Sequence, residues 1–286
     1  MTFLARLRAS VAEHGPTADG AAPSSLLCVG IDPHRALLEQ WSASGGAGFA
    51  ADAAGAERFG RTVVEAAVGR VAVIKPQVAL FEAFGAAGML ALERVLSDAR
   101  AAGLLVVADA KRGDIGSTNA GYADAWLTPG SPLEADALTV SPYLGVGALQ
   151  GVLETAERAS KAAIVLAATS NPEAAQLQLA RLPDGRTVAA SVAAAIVERN
   201  ARTGAGHGLV IGATVDRGAY GIEIDPSTPI LAPGFGAQGA QLSELRALFP
   251  ADALVLASVS RSILRAGPAG LAAAIDAAGR ELRDAR

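Results

Sequence analysis

The sequence is poor in the groups that usually announce a mechanism. It has one cysteine, Cys28, inside an apolar run. No internal disulfide can form, which favours a reducing compartment, and the thiol reads as a small buried side chain. The three histidines, His14, His34 and His207, are scattered without ligand spacing, so no metal site is expected. His34 follows Asp32-Pro33 and reads as a loop histidine. There is no G-x-S-x-G and no Ser-His-Asp set that can be placed. No glycine fingerprint follows the first strand to cradle a dinucleotide. No uncharged apolar run reaches the roughly 18 residues of a membrane span. The net charge of −4 offers no positive field to nucleic acid or an anionic membrane. The N-terminus mixes Arg6, Arg8 and Glu13 with apolar residues and reads as an amphipathic helix, not a signal peptide. A cytoplasmic protein that binds neither nucleic acid nor membrane is expected.

Lysine is scarce too. Of 24 basic residues, only Lys75, Lys111 and Lys161 are lysine. Arginine serves wherever charge alone suffices, whereas a compact ammonium can also give up a proton. Lys75 and Lys111 stand at the ends of predicted strands and read as kept for that property. Lys161, ahead of an apolar run, reads as a solvated charge.

What is present is a large apolar content, 51% of 286 residues. That suffices for one barrel or two small domains and is too much for a disordered chain. Apolar runs predict strands at 26–31, 71–74, 104–108, 137–140, 162–168, 208–213, 229–232 and 253–257. Helical patterns fall at 3–14, 57–68, 86–101, 115–126, 146–159, 188–200, 243–248 and 268–283, the last with proline near its start. Residues 45–56 and 182–186 read as surface excursions, the first of undetermined conformation. Eight strands alternating with helices predict a single-domain (β/α)8 TIM barrel over residues 1–286, with an N-terminal helix, because closure leaves no strand edge exposed. An open doubly wound sheet is the alternative. No linker and no short repeat divides the chain.

The organising stretch is LLVVADAKRGDIGST, residues 104–118. Its apolar run ends abruptly in Asp109, Lys111 and Asp114. Alternation lets residues 109 and 111 point to one side of an extended chain. Asp114 follows Gly113 and opens a helix, where a carboxylate suits the dipole. The informative polar residues fall after strands: Asp32, Lys75, Asp109, Lys111, Asp114, Ser170, Gln238 and Arg261. In a barrel they converge on one mouth as a charge network that is expensive to desolvate without function. The turn GFGAQG, residues 234–239, offers backbone amides, and Arg261 after the next strand offers a fork for phosphate oxygens. Phosphate binding after strands seven and eight recurs in such barrels.

At these residues the chain resembles the orotidine 5′-phosphate decarboxylase family, in its longer bacterial form. The carriers are LCVGIDP (27–33), VIKPQVALFEAFG (73–85), VVADAKRGDIGST (106–118), LTVSPYLG (138–145), LAATSNPEA (166–174), APGFGAQG (232–239) and SRSIL (260–264). They span nearly the whole chain in order. DAKRGDI is the specific element, matching the family's D-x-K-x-x-D. The resemblance implies a cofactor-free, metal-free homodimeric barrel that converts orotidine 5′-monophosphate to UMP and carbon dioxide, the last step of de novo pyrimidine nucleotide synthesis. It implies that Asp109, Lys111 and Asp114 form the catalytic network with Lys75. Asp32 would bind ribose hydroxyls, Ser170 the pyrimidine amide, and Gln238 and Arg261 the phosphate, with Gly236 and Ser260 also on the substrate. Asp114, Ile115 and Thr118 match positions that reach the neighbouring subunit's site.

Two other readings stand beside it. A magnesium-dependent sugar-phosphate enzyme, such as hexulose phosphate synthase, shares D-x-K-x-x-D but places an acid at the end of strand two, where this chain has Lys75. A noncatalytic nucleotide-binding barrel would not require the Lys75–Asp109–Lys111–Asp114 set.

Overall fold

Each apolar run in the sequence becomes a parallel strand, and the eighth returns to pair with the first. The computed structural model describes residues 1–14, 25–44, 48–236 and 239–285. In chain order the elements are α1 (Phe3–His14), β1 (Ser25–Ile31), α2 (Arg35–Ala43), α3 (Ala53–Ala67), β2 (Val73–Pro76), α4 (Val78–Glu82), α5 (Gly85–Ala101) and β3 (Leu105–Arg112). Then come α6 (Gly116–Leu127), β4 (Ala137–Val140), α7 (Gln150–Arg158), β5 (Ala162–Ala168), α8 (Ala175–Gln178), α9 (Val188–Thr203) and β6 (Gly208–Ile211). Last are α10 (Arg217–Tyr220), β7 (Ile230–Pro233), α11 (Leu245–Leu248), β8 (Val255–Val259), α12 (Arg261–Leu264) and α13 (Gly267–Arg283). Neighbouring strands pair in order around a closed barrel, and β1 meets β8 in the register Ser25↔Val255 to Val29↔Val259. That closure excludes the open doubly wound sheet.

Strand alternation divides the core into two layers. Leu26, Cys28, Val73, Leu105, Val107, Ile164, Val210, Leu231 and Leu256 form the barrel interior, together with Phe3, Leu4 and Leu7 of α1. Leu27, Val29, Ile31, Ile74, Val106, Ala108 and Leu138 belong to the outer layer under the helices. The same parity carried two residues further turns Lys75, Asp109 and Ser258 toward the interior at the C-terminal mouth. In the outer layer Trp41 lies between Phe49 and Phe59, with ring centroids 5.1 and 4.2 Å away. Its indole N–H donates to the Leu264 carbonyl at 2.9 Å, tying α2 to the end of the barrel.

The N-terminal mouth is closed by α1. The Phe3 amide donates to the Ser160 carbonyl at 2.9 Å. Arg6 pairs with Asp136, whose second oxygen accepts the buried Val106 amide at 2.8 Å. Lys161, expected to be solvated, is buried here and pairs with Glu134 at 2.8 Å.

Several boundaries differ from expectation for physical reasons. Strands β2 and β3 run on through Lys75-Pro76 and Asp109–Arg112, because the barrel interior accepts charges there that a purely apolar criterion rejects. Helix α3 starts at Ala53, capped by Asp52, which accepts the Gly55 amide at 2.8 Å. Residues 53–56 are therefore helical, while 45–47 lie outside the described residues. Helix α2 and the one-turn helices α4, α8, α10 and α12 were not anticipated, being too short to show a period.

Asp136 gives a stability test remote from the C-terminal mouth. Asp136→Ala strands the Val106 amide and frees Arg6, so urea unfolding should show a loss of about 1–3 kcal/mol. An unchanged midpoint would mean that this carboxylate does not hold the N-terminal mouth closed.

Candidate active site

The C-terminal mouth opens into a cavity of about 350 Å³. Asp32, Lys75, Asp109, Lys111, Ser170, Ser260 and Arg261 all line it, drawn from β1, β2, β3, β5 and β8 or the turns after them. At its floor Lys75 Nζ lies 2.8 Å from Asp109 Oδ2, and both side chains are buried. The other oxygen, Oδ1, faces Lys111 Nζ at 2.5 Å. One carboxylate thus holds two ammonium groups. They differ in exposure, the Lys111 side chain being 47% accessible and that of Lys75 8%. Lys75 is a fixed buried cation, and Lys111 can reach a ligand.

Burial alone would push the Asp109 carboxyl up, but Lys75 and then Lys111 outweigh it and hold the group well below the usual carboxylate range. Burial would likewise lower Lys75, yet Asp109 and then Asp32 overcome that and raise it above the ordinary amine value. The pair is therefore ionised at neutral pH. Beneath it the Cys28 thiol is pushed up to about 12, chiefly by burial, and stays a neutral core group.

Local backbone geometry sets Lys111. β3 and β4 pair at Ala108↔Leu138 and again at Arg112↔Val140, so four steps on one strand face two on the other. This bulge puts Lys111 in the left-handed region at φ +49°. Gly113 follows where the chain crosses Ser141. A Cβ there would lie 2.4 Å from the Ser141 carbonyl oxygen.

On the opposite wall Ser260 donates a close hydrogen bond to Asp32 Oδ2. Asp32 Oδ1 is buried without a partner among the described residues and is available to a ligand hydroxyl. Gly30 lets Ser260 approach, since a Cβ there would lie 2.7 Å from the Ser260 Cβ.

Of the predicted site residues, Asp114, Ile115, Thr118 and Gly236 do not line this chain's own cavity. Among the described residues Asp114 makes no ion pair with Lys111 of its own chain, whose partner is Asp109. Its carboxylate accepts the Ile115 amide at 2.8 Å, and α6 begins only at Gly116. Ile115 and Thr118 are exposed and do not line the cavity. Gly236 does not line it either, and its amide donates to the Ala240 carbonyl at 2.7 Å instead of standing free. Gly234 and Phe235 are the residues of that turn that reach the cavity, and Gln238 lies outside the described residues.

Sequence reasoning also missed residues that are here. Gln77, Thr169, Asn171 and Ser258 line the cavity. Thr139 donates to Asp109 Oδ1 at 3.0 Å from below. The available signals were parity with Lys75 for Gln77 and a lone hydroxyl within the buried strand ALTV for Thr139.

The model of the orotidine 5′-phosphate decarboxylase / HUMPS family matches residues 25–275. The chain belongs to this family. An orotidine 5′-phosphate decarboxylase of Salinispora tropica is 50% identical over 289 residues, covering 100% of this chain and 97% of the relative. One from Streptomyces coelicolor is 48% identical over 270 residues, covering 93% and 91%. A crystal structure from Streptomyces avermitilis superposes with TM-score 0.88 at 46% identity, over 99% of this chain and 95% of that one. Leishmania donovani OMP decarboxylase superposes with TM-score 0.73 at 31% identity, over 99% and 97%.

The buried pair can be tested by stability. Asp109→Asn removes the carboxylate that the buried Lys75 ammonium contacts, so a loss of about 3–5 kcal/mol is expected at pH 7. The carboxylate's contribution is complete above its unfolded pKa of about 4 and is lost as pH falls toward the depressed folded value. The gap between wild type and variant should therefore narrow below about pH 4. A gap that stays constant through acid would rule out ion pairing as its source.

Proposed function

We propose that the protein decarboxylates orotidine 5′-monophosphate to UMP and carbon dioxide, completing pyrimidine nucleotide synthesis. The observation that carries this reading is the pairing of one buried carboxylate, Asp109, with a fixed ammonium, Lys75, and a half-exposed one, Lys111. Family membership and the names of the relatives support it.

The chemistry follows from the charges. When the bond from C6 to the carboxylate breaks, its electron pair stays on C6 with no carbonyl placed to delocalise it. Lys111 stabilises that charge electrostatically and then gives C6 a proton from Nζ. Asp109 stands beside the departing carboxylate and disfavours the ground state. Asp32, with one buried oxygen unpartnered among the described residues, takes ribose hydroxyls. Ser170 takes the base, with Ser260 on the substrate beside Asp32. Arg261, with the turn containing Gly236 and Gln238, holds phosphate. Phosphate contacts far from C6 then contribute by assembling the site. No metal or cofactor enters this scheme: a cationic Lys75 at the end of β2 would repel the magnesium that the sugar-phosphate reading requires.

The site is completed by a second copy of the chain. The Asp114 carboxylate accepts the amide of Ile115, which is 62% exposed, and Tyr143 and Leu144, which follow β4 at the same end of the barrel, are 76% and 53% exposed. Large apolar side chains beside a catalytic mouth suit an isologous contact. There Asp114, Ile115 and Thr118 serve the partner's site.

Release of carbon dioxide from orotidine 5′-monophosphate, undiminished by EDTA, is the direct test. Magnesium-dependent activity would favour the sugar-phosphate reading, and UMP binding without turnover the noncatalytic barrel. Lys111→Ala should bind UMP but not turn over, and Lys111→Arg should fail as well, because guanidinium is a poor acid. Retention of more than about a tenth of wild-type turnover by arginine would remove Lys111 as proton donor.

Subunit sharing has its own test. Inactive Lys111→Ala and Asp114→Ala proteins are unfolded and refolded together. In a mixed dimer one site carries both lesions and the other neither, so about a quarter of all sites should be active after random pairing. A mixture as inactive as its parents would mean that Asp114 serves its own chain.

A further inference from the structure

The Asp109–Lys111 unit has a third member that lies outside the cavity. Thr139 is fully buried in β4, and its hydroxyl makes two hydrogen bonds of opposite sense. It donates to Asp109 Oδ1 at 3.0 Å and accepts the backbone N–H of Lys111, also at 3.0 Å. The oxygen it supports on Asp109 is the one that Lys111 Nζ contacts. One hydroxyl therefore ties the backbone of Lys111 to the carboxylate that its own ammonium grips.

The position of this bridge explains how the bulge persists. Between Ala108↔Leu138 and Arg112↔Val140 the backbone ladder is interrupted, and Thr139 is the β4 residue facing the gap. Lys111 sits there with φ +49°, a conformation that a side chain with a Cβ resists unless its surroundings impose it. The threonine hydroxyl replaces the missing ladder acceptor for the Lys111 amide. Its χ1 is stiff because the side chain is β-branched. With a single proton, the hydroxyl can donate to only one partner. Accepting from Lys111 N–H leaves that proton for Asp109, which fixes both directions.

We infer that Thr139 is a positioning residue of the catalytic unit, holding Lys111 in its left-handed conformation and orienting Asp109 Oδ1 toward its ammonium. It touches no cavity surface and acts only through those two residues. The role deepens the decarboxylase reading above and rests on it for its kinetic consequence. Its geometric content does not depend on that reading.

The test compares Thr139→Val, which keeps the shape and removes the hydroxyl, with Thr139→Ser, which keeps the hydroxyl and removes the methyl. Valine should lower kcat for orotidine 5′-monophosphate by roughly 10- to 100-fold, the loss of a hydrogen bond to a charged group. KM and UMP affinity should stay within about threefold, since phosphate and ribose contacts lie elsewhere. Serine should recover kcat to within about threefold. Valine at the wild-type rate, serine as impaired as valine, or UMP affinity falling in step with kcat would each overturn the role.

A second readout needs no turnover. The chain's only lysines are Lys75, Lys111 and Lys161, so acetylation of each can be followed by mass spectrometry. In Thr139→Val, Lys111 should be labelled several-fold faster than in wild type, while Lys161 at the other mouth keeps its rate. Unchanged Lys111 labelling would overturn the positioning role even in a protein inactive on this substrate. Changed labelling with no wild-type turnover would overturn the decarboxylase reading alone.

Discussion

The ion pair between Lys75 and Asp109 is the constraint on which the site depends. Two opposite charges in contact inside a barrel are stable only if both remain ionised and each has its remaining capacity met. Lys111 and Thr139 occupy Asp109 Oδ1, while Lys75 occupies Oδ2. The carboxylate is therefore held through both oxygens, and its charge is not neutralised by ordinary changes in pH. That rigidity makes it a fixed electrostatic feature around which an anionic substrate must arrange itself, at no reorganisation cost when charge moves.

The architecture separates stability from chemistry along the barrel axis. At the N-terminal mouth, α1 and the Arg6–Asp136 pair seal the interior. At the C-terminal mouth the interior layer gives way to charge around an open cavity. The same alternation that packs Val73 and Val107 inward also turns Lys75 and Asp109 inward two residues later. Site geometry is thus an extension of core geometry, and a register error in β2 or β3 would send these charges into the helix layer.

This continuity decides what could be read from sequence. All eight strands were legible because buried parallel strands carry unbroken apolar runs, and the charges that end those runs marked Lys75, Asp109 and Lys111. The ends of β2 and β3 were not, because charge usually signals exit from a core and here it lines one. Short helices such as α4 and α10 carry too few residues for a period. Thr139 was hidden by being an ordinary strand former. The Gly236 amide looked available from composition, but a bridge between Phe235 and Ala240 engages it. Such properties belong to pairings between distant backbone segments, which residue types alone do not encode.

The contact between Ser260 and Asp32 spans 228 residues of chain. Because β8 closes on β1, one wall of the cavity combines the first and the last strands of the barrel. A nascent chain still lacking β8 has an unpaired β1 edge and an Asp32 carboxylate without its serine. A length of polypeptide that lacks β8 and Ser260 has only part of this cavity wall. During translation, then, ligand binding cannot assist folding until the last strand has emerged, and everything before that point must remain soluble on packing alone.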